Sequence, residues 1–164
     1  MNRILFFKKC LINKGIIRKV VQVNFLIFLF VSHFSMAQVV INEIDTDTPS
    51  SDVLEFVEIK SATPNFSLNG YVLVFFNAGS SSPYSNTASY YALDLDGYST
   101  DINGIATFGN PAVSPSPLAI FPNATLQNGP DVVALYQDNA SNFPTNTSAT
   151  ATNLIDAIAY SNSG

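Results

Sequence analysis

The 164-residue chain carries seven basic and twelve acidic side chains, one His, one Cys and no Trp, which is enough for one ordinary domain. Six of the seven basic residues (Arg3, Lys8, Lys9, Lys14, Arg18, Lys19), with Cys10 and His33, lie before position 37, so residues 38–164 set Lys60 alone against all twelve carboxylates, a side-chain charge of −11. That balance excludes nucleic-acid affinity by this part of the chain, which would need Lys and Arg to displace counterions; the loss of His, Cys and Arg also excludes a Ser–His triad, a Cys–His pair, a His/Cys zinc site and an arginine clamp on phosphate.

Residues 1–37 have the pattern of a secretory signal peptide. A basic stretch leads into the apolar run Phe25–Val31, and Ser35-Met36-Ala37 follows with small residues at its first and third positions. Cleavage is expected after Ala37. Extended back to Val20 the apolar stretch reaches only 12 residues, short of the roughly 20 that a spanning helix needs. No membrane span is therefore expected after cleavage, and the protein is expected outside the cell or on its surface. Cys10 does not follow the apolar run as a lipidated cysteine would, so it leaves with the signal. Residues 38–164 must then be held by a packed core without a disulfide.

From Gln38 onward the chain reads as an all-β domain, with short runs rich in Val, Ile, Phe and Tyr between turn residues. Eight strands are expected in chain order: 39–44, 53–59, 71–76, 90–95, 105–108, 118–121, 132–136 and 154–160. Glu55 and Glu58, three apart, would also suit a helix face, but β-branched content and short length favour a strand over 52–60. Tyr71–Phe76 has no polar residue and is expected at the centre of a sheet, buried on both faces. The pairs Asn69-Gly70, Asp96-Gly97, Asn103-Gly104 and Asn128-Gly129 mark tight turns, since both residue types tolerate positive φ. The stretches 77–89, 110–117 and 138–153 read as surface loops, the last a mobile one. Eight strands in this length point to a sandwich or barrel.

The segments Val40-Ile41-Asn42-Glu43-Ile44, Glu55-Phe56-Val57-Glu58-Ile59, Ser67-Leu68-Asn69-Gly70-Tyr71-Val72-Leu73, Gly129-Pro130-Asp131-Val132-Val133-Ala134-Leu135-Tyr136 and Ile155-Asp156-Ala157-Ile158-Ala159-Tyr160 resemble, in this order, the successive strands of a lamin tail domain. The resemblance implies an immunoglobulin-like β-sandwich over residues 38–164 without catalytic activity of its own. Tyr71 stands where a Trp is common in the nuclear form. The longer region from about Asn77 to Pro117 looks like the bacterial secreted version, which is found at the amino end of extracellular nucleases or beside surface-sorting domains. The function this implies is attachment, targeting or protein interaction at the cell surface.

Two alternatives follow. The chain carries no nuclease portion and stops at Gly164, four residues past the last expected strand, so it could be the amino-terminal accessory part of a larger secreted nuclease or phosphatase. It could also bind or cleave carbohydrate, with two of Glu43, Glu55 and Glu58 as acid and nucleophile and Tyr84, Tyr90 or Tyr98 stacking on a sugar ring. The plainer reading makes those three glutamates partly buried acceptors or a solvated face. No catalytic or cofactor-binding residue is assigned. The one cation candidate is calcium at Asp94, Asp96, Asp101 and Asn103, four oxygen-bearing side chains around two turns. They depart from the EF-hand pattern, and the same residues read as ordinary hairpin turns with Asp94 and Asp96 facing solvent.

Overall fold

The computed structural model describes residues 38–49, 51–79 and 87–161. The expected signal peptide over 1–37, and Tyr84, lie outside the described residues. All eight apolar runs form strands: β1 Val39–Asp45, β2 Phe56–Ser61, β3 Val72–Asn77, β4 Ala88–Asp94, β5 Ile105–Gly109, β6 Ala119–Ile120, β7 Asp131–Tyr136 and β8 Leu154–Tyr160. Strand alternation explains them. In β2, Val57, Ile59 and Ser61 are buried while Phe56, Glu58 and Lys60 are half-buried, which is the period of two that one covered face demands.

The strands make two four-stranded sheets, in the orders β1-β2-β5-β6 and β4-β3-β7-β8. All pairings are antiparallel except β5 with β6. Val57, Ile59 and Phe108 of the first sheet and Leu73, Phe75, Val133 and Leu135 of the second share one hydrophobic core, so the expected all-β sandwich is the fold. Phe75 sits at its middle, stacked on Tyr91 at 5.4 Å and edge-on to Phe121 at 5.7 Å. At one seam the sheets are tied by a side chain. The register of β1 on β2 slips between Ile41 and Glu43, and the Ile41 N–H donates to Asp156 Oδ2 of β8 at 2.9 Å.

Strand β3 is central and covered on both sides, as its apolar sequence implies. Val72, Val74 and Phe76 face away from the main core into a second cluster with Ala134, Tyr136 and Phe143. The surface loop expected over 138–153 contributes to this outer face through its one buried residue, Phe143. A 3-10 turn at Ala140–Asn142, capped by Asn139, delivers Phe143 onto Tyr136 with ring centroids 4.6 Å apart. The chain is then fastened along β4: Ser89 N–H donates to Thr147 O at 2.8 Å, Asn146 N–H to Ser89 O at 2.8 Å and Ala149 N–H to Thr87 O at 3.1 Å. Tyr136 Oη donates to Thr150 O at 2.9 Å from the other side.

The second strand starts later than expected, at Phe56 instead of Val53. Side chains take the backbone groups that a ladder would use. Thr48 Oγ1 accepts from Val53 N–H at 3.3 Å, and Asn110 Oδ1 accepts from Glu55 N–H at 2.9 Å. Glu55 is therefore not inside a strand; it sits just before one, where it is fully buried.

Candidate functional site

The acidic turns between β4 and β5 come first. Asp94 Oδ1 accepts from Asp96 N–H at 2.9 Å, and Asp96 Oδ1 accepts from Gly70 N–H at 2.6 Å. In return Asn69 Oδ1 accepts from Gly97 N–H at 2.7 Å, so the two turns Asn69-Gly70 and Asp96-Gly97 cap each other across the end of the sheet. Asp101 Oδ1 accepts from Asn103 N–H and Ile105 N–H, both at 2.8 Å, and Oδ2 from Asn103 Nδ2 at 3.2 Å. The N–H of Ile105, then that of Asn103, holds the Asp101 carboxyl below its ordinary range. Each calcium candidate is thus engaged in turn formation. Among the described residues no group of three or more His, Cys, Asp or Glu side chains converges to hold a metal ion.

Of the three glutamates, Glu55 stands apart from the other two. Glu43 and Glu58 stand opposite each other in the β1–β2 register, and Asn42 Nδ2 donates to Glu58 Oε1 at 2.7 Å on the open side of the first sheet. Glu55 lies in the interior, apart from that open side. Of the aromatic residues considered for sugar stacking, Tyr98 packs edge-on to Phe108 at 5.6 Å and Tyr90 lies 6.1 Å from Phe75. Both rings pack against the core instead of standing as open platforms.

The feature the sequence hides is a strap. Residues 122–128, between β6 and β7, cross one end of the sandwich and are held from both sheets. Glu55 Oε2 accepts from Thr125 N–H at 3.0 Å and Leu126 N–H at 3.4 Å. Tyr90 Oη accepts from Gln127 N–H at 3.3 Å, while Tyr160 Oη donates to Gln127 O at 3.0 Å. Asp52 adds its backbone oxygen to Ala124 N–H at 3.1 Å and Oδ2 to Asn128 Nδ2 at 3.2 Å. Glu55 and, on β7, Asp131 are both buried, and each keeps one oxygen, Oε1 and Oδ2, without a hydrogen-bond partner. Burial pushes both carboxyls up. It also raises Tyr90 strongly and Tyr160 to about 12, since each charged form loses hydration that the interior does not replace.

Chemically, a carboxyl raised by burial can act as a general acid only where substrate reaches it. Here Glu55 is closed off and holds a backbone segment in place, while Asp131, itself buried, borders a surface hollow. A residue motif for this role was visible only in part, because Glu55 and Asp131 each belong to a recognisable strand segment but their acceptor and donor partners lie up to 71 residues away.

Among the described residues the open surfaces include an apolar sheet edge and a hollow. Leu118 and Ile120, on alternate positions about β6, are 48% and 60% exposed at the edge of the first sheet. At the opposite sheet a hollow of about 340 Å³ is lined by Ala78, Pro130, Val132, Ala159 and Tyr160 beside Asp131. Among the described residues no helix is long and apolar enough to cross a membrane. No protein-family model matches the chain, and no curated protein matches it.

Proposed function

We propose that residues 38–164 form an exported, non-catalytic β-sandwich module of the lamin-tail type, which serves attachment or protein interaction at the cell surface or on a larger secreted protein. One observation carries the reading: the acidic side chains that would have to do chemistry are hydrogen-bonded into the fold. Asp94, Asp96 and Asp101 cap turns and Glu55 anchors the strap, in a segment with no His, Cys or Arg to supply a base, nucleophile or anion clamp. The apolar pair Leu118 and Ile120 at an open sheet edge suits contact with another protein, since exposed apolar groups at a polar rim gain by burial.

The purified protein, assayed with Mg²⁺ or Ca²⁺ on DNA, phosphate esters and carboxylic esters, should show no turnover. Labelled protein should bind whole cells, and binding should fall in the double variant L118D/I120D while its unfolding midpoint stays put. Turnover abolished by Asp94→Asn, Asp96→Asn or Asp101→Asn would overturn the non-catalytic reading. Binding to a glycan array at the same protein concentration would replace protein interaction by carbohydrate recognition.

A further inference from the structure

A glycine after Asn or Asp leaves the backbone nitrogen unhindered, so that it can close on the side-chain carbonyl carbon of the residue before it. In this fold three of the four such pairs have that nitrogen engaged. Gly70 N–H donates to Asp96 Oδ1 at 2.6 Å, Gly97 N–H to Asn69 Oδ1 at 2.7 Å and Gly104 N–H to Asp101 O at 3.0 Å. These three glycines also sit in the left-handed region, with φ of 79°, 85° and 77°, in tight turns that only glycine adopts without strain.

The fourth pair, Asn128-Gly129, differs on each count. Gly129 is outside the left-handed region, and among the described residues no acceptor takes its N–H. Asn128 is exposed. A Cβ built on Gly129 would meet only Asp131 Oδ1, at 3.7 Å. Asn128 Nδ2, the nitrogen that leaves, donates to Asp52 Oδ2 at 3.2 Å.

We propose that Asn128 is the site of spontaneous deamidation in this domain, and that its conversion loosens the strap. Gly129 N loses its proton to solvent base and attacks Asn128 Cγ; the Cγ–Nδ2 bond breaks and ammonia leaves, closing a succinimide. One water then opens the ring at either carbonyl to give Asp or isoaspartate, so the net change is amide plus water to carboxylate plus ammonium, with no oxidation or reduction. The product is a carboxylate where an amide donor met Asp52 Oδ2. A hydrogen bond becomes a like-charge contact on the segment that Glu55, Tyr90 and Tyr160 hold to the sandwich.

The test is to hold the purified full chain in mildly alkaline buffer and follow each Asn-Gly peptide by mass spectrometry. In the native protein Asn128 should convert at least about tenfold faster than Asn69 or Asn103, the factor that about 1.4 kcal/mol of retained hydrogen bonding corresponds to. In the urea-unfolded chain the three should come within about threefold of one another, since no fold then distinguishes them. Gly129→Ala, whose added methyl has room, should suppress conversion at position 128 with the unfolding midpoint unchanged, and Asn128→Asp should lower that midpoint. Conversion of Asn128 no faster than Asn69 in the native protein would overturn the assignment, whatever the variants do, and an unshifted midpoint in Asn128→Asp would overturn the loosening of the strap.

Discussion

Glu55 is the most demanding test of the strap, because it makes the fold depend on pH in a direction opposite to that of a salt-bridged acid. Glu55→Ala removes the acceptor of Thr125 N–H and Leu126 N–H. Hydrogen bonds to a charged group contribute about 1.5–3 kcal/mol each; the longer, 3.4 Å bond to Leu126 belongs at or below the low end. Against that stands the relief of a buried carboxyl with an unpartnered Oε1, so a net loss of about 2–3 kcal/mol is expected. Glu55→Gln keeps an acceptor for Thr125 and should cost less than Glu55→Ala, under about 1 kcal/mol.

The sign of the pH term follows from burial. The folded-state pKa of Glu55 lies above its ordinary 4.5, so the unfolded chain ionises first. The stabilisation is fully present below the unfolded value and is lost as pH rises through the folded one. Asp131, raised for the same reason, acts in the same sense. Glu55→Gln cannot ionise and escapes its share of the loss. Chemical denaturation of the wild type and Glu55→Gln from about pH 4 to about pH 8 should therefore show the variant gaining on the wild type as pH rises. Parallel curves, or a Glu55→Ala variant as stable as the wild type, would refute both the burial argument and the anchoring role.

Phe75→Ala, at a fully buried position between the sheets, should cost about 3–5 kcal/mol in equilibrium unfolding, and a loss under about 1 kcal/mol would place β3 at a sheet edge. Phe143→Ala should cost about 3 kcal/mol if the 138–153 stretch is packed on the outer face, and a surface-like loss of under about 0.5 kcal/mol would mean that it is not. Thermal unfolding with millimolar calcium or with chelator should give the same midpoint, since Asp94, Asp96 and Asp101 are engaged in turns; a stabilisation near 2.7 kcal/mol at about 100 times a dissociation constant would establish a site. Mass spectrometry of the exported protein should find Gln38 as its first residue, and a chain that retains Phe25–Val31 would show an anchor in place of a signal.

Apolar, β-branched runs between turn residues located all eight strands, because a strand with one covered face alternates and a strand covered on both, such as Val72–Phe76, is apolar throughout. Three of the four glycine turns were readable for the same local reason: Gly70, Gly97 and Gly104 adopt the positive φ that their Asn-Gly and Asp-Gly pairs announce, whereas Gly129 after Asn128 does not. What the pattern did not contain was which distant segment covers which face. The polar stretch 138–153 carries one Phe in a run of Asn, Ser and Thr, and nothing local says that Phe143 closes the outer cluster of β3. Likewise Val53–Glu55 has strand composition, yet Thr48 and Asn110 take its backbone donors. Glu55 looks like an outward-facing strand carboxylate and is instead buried under a strap 70 residues along the chain. Burial of an acid and the partners that satisfy it are set by contacts between residues far apart in sequence, which tertiary packing alone decides.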